Sequence, residues 1–115
     1  MTHPSAELDE VIHQRTRLGI MTVLAEAGRI QFGALKSALE LTDGNLSRHL
    51  QILEEAGYVL VEKGYEGRRP RTWVKATRAG ERALRAELKL LKALVSLASG
   101  QSQRASARQD LLLST

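Results

Sequence analysis

Seven residues between positions 42 and 51 have the types needed to read a nucleic-acid groove: Thr42, Asp43, Gly44, Asn45, Ser47, Arg48 and Gln51. Arg can donate two parallel bonds to a guanine edge, Asn and Gln match adenine, and small residues let a backbone come close. Spacing puts them on a helix. Leu46, Leu50 and Leu53 recur at i, i+4 and i+7 and form one stripe, while Gly44, Asn45, Arg48, Gln51 and Glu55 fall on the opposite side. Thr42 stands where a hydroxyl caps a first turn, and Gly57 where a left-handed residue ends a last one. Asp43 also suits the first turn through the helix dipole alone. An ordinary amphipathic surface helix has the same pattern, so the residues after Gly57 decide the reading.

Those residues are basic. Between positions 63 and 78 lie Lys63, Arg68, Arg69, Arg71, Lys75 and Arg78, against Glu66 alone. Positions 1–14 hold Glu7, Asp9 and Glu10 and no Lys or Arg. A net charge of +4 is modest, but its concentration in one place is the footprint expected of phosphate contacts. Lys63, Arg68, Arg69 and Arg71 are the candidates for the sugar-phosphate backbone or the minor groove. Pro70 among them stiffens the segment and lowers the ordering cost of binding.

Other chemistries are poorly served. Cysteine is absent, which removes disulfides, thiolate metal sites and thiol redox sensing. His3, His13 and His49 share no ligand spacing, so no metal is expected. His49 borders the leucine stripe and reads as a partly buried helper. Neither a nucleophile triad nor a glycine-rich phosphate cradle after a strand is present, so neither an enzyme nor a cofactor is expected. No apolar run reaches transmembrane length and no signal segment appears, and the cytoplasm is the simplest home.

The elements that must position these residues follow from periodicity. A chain of 115 residues is one domain. Apolar positions keep a helical period over residues 8–27, with Ser5 or Asp9 as cap, and Arg15, Thr16 and Arg17 interrupt the apolar face, which allows a bend or a later start. Ile30-Gln31 is too short to assign alone, though it fits a minimal strand. Residues 32–39 form a short helix with Leu35, Ala38 and Leu39 inward. The tight link at Glu40-Leu41 makes this helix and the next a helix-turn-helix. After Gly57 the period changes from 3.6 to 2. Residues 58–63 and 71–76 alternate as strands, and the Gly- and Pro-rich residues 64–70 read as the loop between them. Trp73, on the outer strand face, reads as a packing cover over Lys75 and its neighbours rather than a base-stacking group. Thr77 caps a long helix over residues 78–99, with Gly100 past its end. Residues 101–115 are a tail of changed composition, in which Ser102 could cap a short helix.

The last helix has two apolar stripes. Leu84, Leu88 and Leu91 can cover the domain. Leu90, Leu94 and Leu97 then have no partner within the subunit, so a second copy of the chain is the expected one. Leu8, Val11 and Ile12 of the first helix are placed beside them, and Leu111, Leu112 and Leu113 over their end. The competing arrangement makes all these leucines the core of a monomer whose tail folds back.

The joint order of these segments resembles the winged helix-turn-helix transcriptional regulators of the MarR and ArsR type, and most closely the small one-domain members. The likeness runs over roughly residues 8–97. It is carried by residues 17–21 (Arg-Leu-Gly-Ile-Met), 41–47 (Leu-Thr-Asp-Gly-Asn-Leu-Ser), 53–59 (Leu-Glu-Glu-Ala-Gly-Tyr-Val), 67–72 (Gly-Arg-Arg-Pro-Arg-Thr) and 77–80 (Thr-Arg-Ala-Gly). Arg15-Thr16 stands where the family usually has a small residue and a proline, and residues 101–115 fall outside the shared pattern. The resemblance implies a mainly α fold with a small β-hairpin and a long C-terminal dimerisation helix. The domain covers residues 1–100, both dimerisation helices included. It further implies a homodimeric regulator of double-stranded DNA, with recognition helices in major grooves and wings toward minor grooves. A cleft between subunits could hold a small-molecule effector, which no residue set here identifies. The alternative is a winged-helix module that binds protein, for which an acidic or apolar face over residues 44–55 would speak.

Overall fold

The computed structural model describes residues 9–113, and side-chain surroundings up to residue 100. Asp9 opens the described chain as an N-cap. Its Oδ1 accepts from the Val11 and Ile12 amides at 2.9 and 3.4 Å and starts α1 (Glu10–His13). The expected first helix is in fact two. Gln14 adopts an extended conformation, ends α1, and caps α2 (Arg15–Ala27) by accepting from the Arg17 amide at 2.9 Å. Arg17 then reaches back and donates from Nε to the Val11 carbonyl at 2.6 Å. The polar run that interrupts the apolar period is thus the joint between two helices, and its side chains satisfy backbone groups that the break sets free.

β1 (Arg29–Gln31) and α3 (Phe32–Ala38) follow. Leu35 is buried and Leu39 half-buried, but Ala38 is exposed rather than inward as expected. The turn after α3 is tied by the Glu40 amide to the Ser37 carbonyl and the Leu41 amide to the Lys36 carbonyl, with Glu40 in the left-handed region at φ 54°. α4 (Asp43–Glu55) ends in the same way: the Gly57 and Tyr58 amides bond the Glu54 and Leu53 carbonyls, and Gly57 has φ 80°. Here glycine takes the conformation without a steric penalty.

β2 (Val59–Glu66) and β3 (Arg69–Ala76) form the hairpin, and β1 joins it in an antiparallel sheet of order β1-β3-β2. The loop expected over residues 64–70 is only the two-residue turn Gly67-Arg68, closed by the pair Glu66 and Arg69. Gly67, at φ 61°, permits so tight a turn. Gly64 has a different role: a Cβ there would lie 3.4 Å from Trp73 Cδ1, so its bareness seats the indole. Pro70 pairs with Tyr65 one rung from the closing pair, where its nitrogen faces the free edge of β3 and the ladder is kept whole.

The core joins Ile20, Met21 and Leu24 of α2, Leu35, the α4 leucines, Val59 and Val74 of the sheet, and Leu84. Ile12, expected at a subunit interface, is 0% exposed and belongs to this core, and Val11 is half-buried against it. Leu8 lies outside the described residues. Thr77 caps α5 (Arg78–Leu113) through the Gly80 amide at 3.0 Å. A Cβ on Gly80 would overlap the Tyr58 carbonyl oxygen, so α5 can pass this close to the start of β2 only with glycine at that position.

The chain divides into two units, Asp9–Glu87 and one that contains α5 from Leu88 onward. α5 does not stop before Gly100 but continues to Leu113, which replaces the separate short helix expected in the tail. Leu84 is buried, but Leu88, expected to cover the domain beside it, is 47% exposed. Glu87 is the buried residue at that turn instead. Leu90, Leu91 and Leu94 are half-buried, while Val95 and Leu97 are 64% and 49% exposed.

Candidate nucleic-acid interface

The α4 helix separates its two sides cleanly. Leu46, Leu50 and Leu53 are at most 3% exposed, which at about 1.5–3 kcal/mol for each buried leucine fixes the helix on the domain. Thr42, Asp43, Gly44, Asn45, Ser47, Arg48 and Gln51 are all exposed. Thr42 is the cap: its Oγ1 accepts from the Asn45 amide at 3.1 Å. Two residues of the outer set already have protein partners. Asp43 pairs with Lys36 of α3 at 2.8 Å, and Gln51 donates to Glu55 Oε1 at 3.3 Å. The Asp43–Lys36 pair links the two helices of the helix-turn-helix across their turn and places Lys36 beside the candidate face. Sequence reasoning missed Lys36, a lone lysine on a short helix.

His49 lies at the edge of the leucine stripe as expected and is half-buried. Arg17 Nη1 lies 3.2 Å from its Nδ1. A guanidinium can only donate, so Nδ1 accepts and the imidazole proton sits on Nε2. Burial, then the charges of Arg17 and Arg48, hold this imidazole below its ordinary value. The neutral ring connects α4 to Arg17, which in turn holds the end of α1.

A second polar junction fixes the root of the hairpin. The Glu87 carboxylate, 1% exposed, accepts from His13 Nδ1 at 2.8 Å and from the Asp9 amide at 3.3 Å. Asp9 Oδ2 accepts from the Tyr58 hydroxyl at 2.6 Å, and this bond raises the phenol above its usual range. Tyr58 directly follows the α4 cap, so the junction ties the end of α4 to α1 and α5. Sequence gives one sign of it: Glu87 is a charged residue three after Leu84 and four before Leu91, on an apolar stripe.

The hairpin divides its cations between two faces, because strand residues alternate. Val59, Val61, Lys63 and Tyr65 share a face with Ala76, Val74, Thr72 and Pro70. The inner end of this face packs on the core, and its outer end continues toward α4. A groove of about 430 Å³ lies there, lined by Phe32, Ser47, Leu50, Gln51, Lys63 and Thr72 among others. The other face carries Glu62, Gly64 and Glu66 opposite Trp73, Arg71 and Arg69. Arg29 stacks 3.9 Å over the Trp73 ring, Glu62 pairs with Lys75 at 3.4 Å, and Gln31 donates to Glu66. Trp73 is therefore packed, as expected, under Arg29 and against Gly64. Lys63, Arg68 and Arg69 are exposed and Arg71 is half-buried, with Nε covered. The four expected wing cations do not form one patch: Lys63 lies on the α4 side, Arg69 and Arg71 on the opposite side, and Arg68 in the turn.

Such an arrangement can do two things to a duplex. The exposed face of α4 offers donors and acceptors at helical spacing, and the hairpin offers cations beyond it. Among the described residues no group of His, Asp and Glu could hold a metal ion, and no helix is long and apolar enough to cross a membrane.

Residues 16–95 match the family model described as a winged helix DNA-binding domain. An uncharacterized protein of Methanocaldococcus jannaschii is 36% identical over 76 residues, which cover 66% of this chain and 83% of that protein. The arsenical resistance operon repressor of Escherichia coli is 37% identical over 57 residues, about half of each chain. Among solved structures, a transcriptional regulator homologue from Pyrococcus horikoshii superposes with a TM-score of 0.78 at 32% identity, over 83% of this chain and 96% of that one. MarR superposes at 0.71 with 23% identity, covering 91% and 78% of the two chains. The Mycobacterium tuberculosis regulator MosR, solved in complex with DNA, superposes at 0.65 with 17% identity over 91% and 80%. At these identities the last two establish the fold alone.

Proposed function

Because the chain belongs to the winged helix DNA-binding domain family, we propose that it is a sequence-specific repressor of the MarR and ArsR type that binds an inverted-repeat operator as a homodimer. One observation carries the reading. On the outer face of α4, Asn45, Ser47, Arg48 and Gln51 are all exposed, and the one large apolar residue beside them, Ile52, is half-buried. A surface built to bind protein would be expected to place apolar anchors there. α4 enters the major groove, Arg48 contacts a base edge, and the hairpin lies on the adjoining backbone or minor groove. The cytoplasm is the place of action. A small-molecule effector fits the same reading, with no ligand class assigned.

The homodimer is closed by α5 beyond Glu87. Val95 and Leu97 leave apolar surface uncovered in the chain, and Leu90 and Leu94 are only half-buried. Ile12 takes no direct part, since it is spent on the core. Two-fold symmetry sets the recognition helices about 34 Å apart, one turn of duplex. Selection from random duplexes tests the whole reading: it should recover an inverted repeat with half-sites one turn apart, and recovery of no common sequence would overturn it. Light scattering should give twice the chain mass. Leu94→Glu with Leu97→Glu should give folded monomers of unchanged helical circular dichroism that lose most of their operator affinity.

A further inference from the structure

We infer that Tyr65, with Pro70 across the ladder, is an aromatic wedge at the wing tip that reads the deformability of the DNA step it meets, outside the half-site read by α4. This rests on the DNA-binding reading above. Tyr65 is 71% exposed, although a phenol ring on a small domain normally finds cover. Its position follows from the register. Tyr65 and Pro70 occupy the rung after Lys63 and Thr72, which follow Val61 and Val74. This is the face that borders the α4 groove with Ser47 and Gln51. Along the strand, Tyr65 stands four residues, about 13 Å, beyond Val61.

The charges around it select the partner. The rungs Lys63–Thr72 and Tyr65–Pro70 hold no carboxylate and Arg68 follows in the turn, while Arg69 faces Glu66 in the closing pair on the other side of the hairpin. The acids Glu62 and Glu66 are on the opposite face, paired with Lys75 and Gln31. An exposed ring between Lys63 and the turn residue Arg68 fits a polyanion with flat apolar faces, which is a nucleic acid.

The mechanics fit insertion. Pro70 fixes one strand's φ and Gly67 closes the turn in two residues, so the tip carries little conformational freedom to lose. A ring and a proline side by side make a blunt apolar edge of the kind that opens base steps from the minor groove. The cost of opening depends on the step, lowest at pyrimidine–purine steps and highest in A-tracts. Tyr65 would thus add preference at a position where no side chain bonds a base edge.

The test uses duplexes carrying the selected half-sites, with 2-aminopurine placed in turn at each outer flanking position and binding followed independently by anisotropy. The bound protein should raise 2-aminopurine fluorescence several-fold at one flanking step. Tyr65→Phe should keep that rise, and Tyr65→Ala should abolish it while still binding. Affinity for a TA flank over an A-tract flank should be about tenfold for the unmodified protein and near unity for Tyr65→Ala. Binding without a fluorescence rise at any flanking position, or a rise that survives Tyr65→Ala, overturns the wedge and leaves the DNA-binding reading intact. No binding in the anisotropy arm overturns that reading, and the wedge with it.

Discussion

The recognition helix and the wing solve the same problem with different periods. On α4 every third or fourth residue returns to one side, so the apolar stripe is at most 3% exposed and all seven candidate contacts share the solvent side. On the hairpin, residues two apart share a face, and neighbours in sequence are parted. Arg68, Arg69 and Arg71 form a basic run when read along the chain, yet Arg71 sits across from Gly64 on the face of Glu62, Trp73 and Glu66, away from Lys63. A charge cluster in sequence is a patch in space on a turn or a helix face, but on a strand it is divided.

The largest effect should come from breaking the buried side of the helix. Leu53→Ala should cost about 2–5 kcal/mol of unfolding free energy, measured by urea denaturation, because the site is fully enclosed. Next is the exposed side. Arg48→Ala should weaken operator binding by about 1–3 kcal/mol and relax preference at one position per half-site. Equal weakening on random duplex would assign Arg48 to phosphate and erase the contrast between helix and wing.

The wing should behave as a set of phosphate-binding cations. Arg68→Ala with Arg69→Ala should lower affinity on all sequences and reduce the slope of log affinity against log salt by about one for each phosphate no longer neutralised. Lys63→Ala should reduce that slope by about one, and Arg71→Ala by less, because Lys63 borders the α4 groove and Arg71 lies on the far face. Equal effects of Lys63 and Arg71 would show that both faces of the hairpin meet DNA.

The smallest effect concerns the support of the helix. His49 is held below its ordinary pKa of 6.5 by burial, Arg17 and Arg48. As pH falls below about 6.5 the unfolded chain takes up a proton that the folded one does not, so stability should decline toward the folded pKa. His49→Gln should remove that part of the decline, seen as a difference in urea midpoint between about pH 7.5 and about pH 5.5. Parallel midpoints for the two proteins would mean that His49 is not the titrating group.

How much of this was legible in the sequence depended on the range of the interaction. α4 could be read because its stripe, Thr42 cap and Gly57 cap are local, and local geometry decides them. The order of elements was readable for the same reason, whereas β1 is too short to read alone and is a strand through its pairing with β3. The wing loop was misplaced because Gly64, Gly67 and Pro70 look alike as turn residues. Only the packed structure shows that Gly64 seats Trp73 and that Pro70 tolerates an edge position. Ile12 looked free because periodicity cannot say which apolar neighbour will be reached, and here the domain's own core takes it. Gly100 did not end α5, since a glycine favours a helix end without enforcing one. The junction of Asp9, Tyr58, His13 and Glu87 joins residues up to 78 positions apart, and a charged Glu87 on an apolar stripe is the one local sign of it.

The central claim is that α4 reads base sequence. Anisotropy titration of the selected operator and a scrambled duplex, at several salt concentrations, tests it most directly. The operator should bind at least about 10³-fold more tightly at physiological salt, with a steep salt slope on both duplexes. Equal affinity for the two, or binding indifferent to salt, would contradict it.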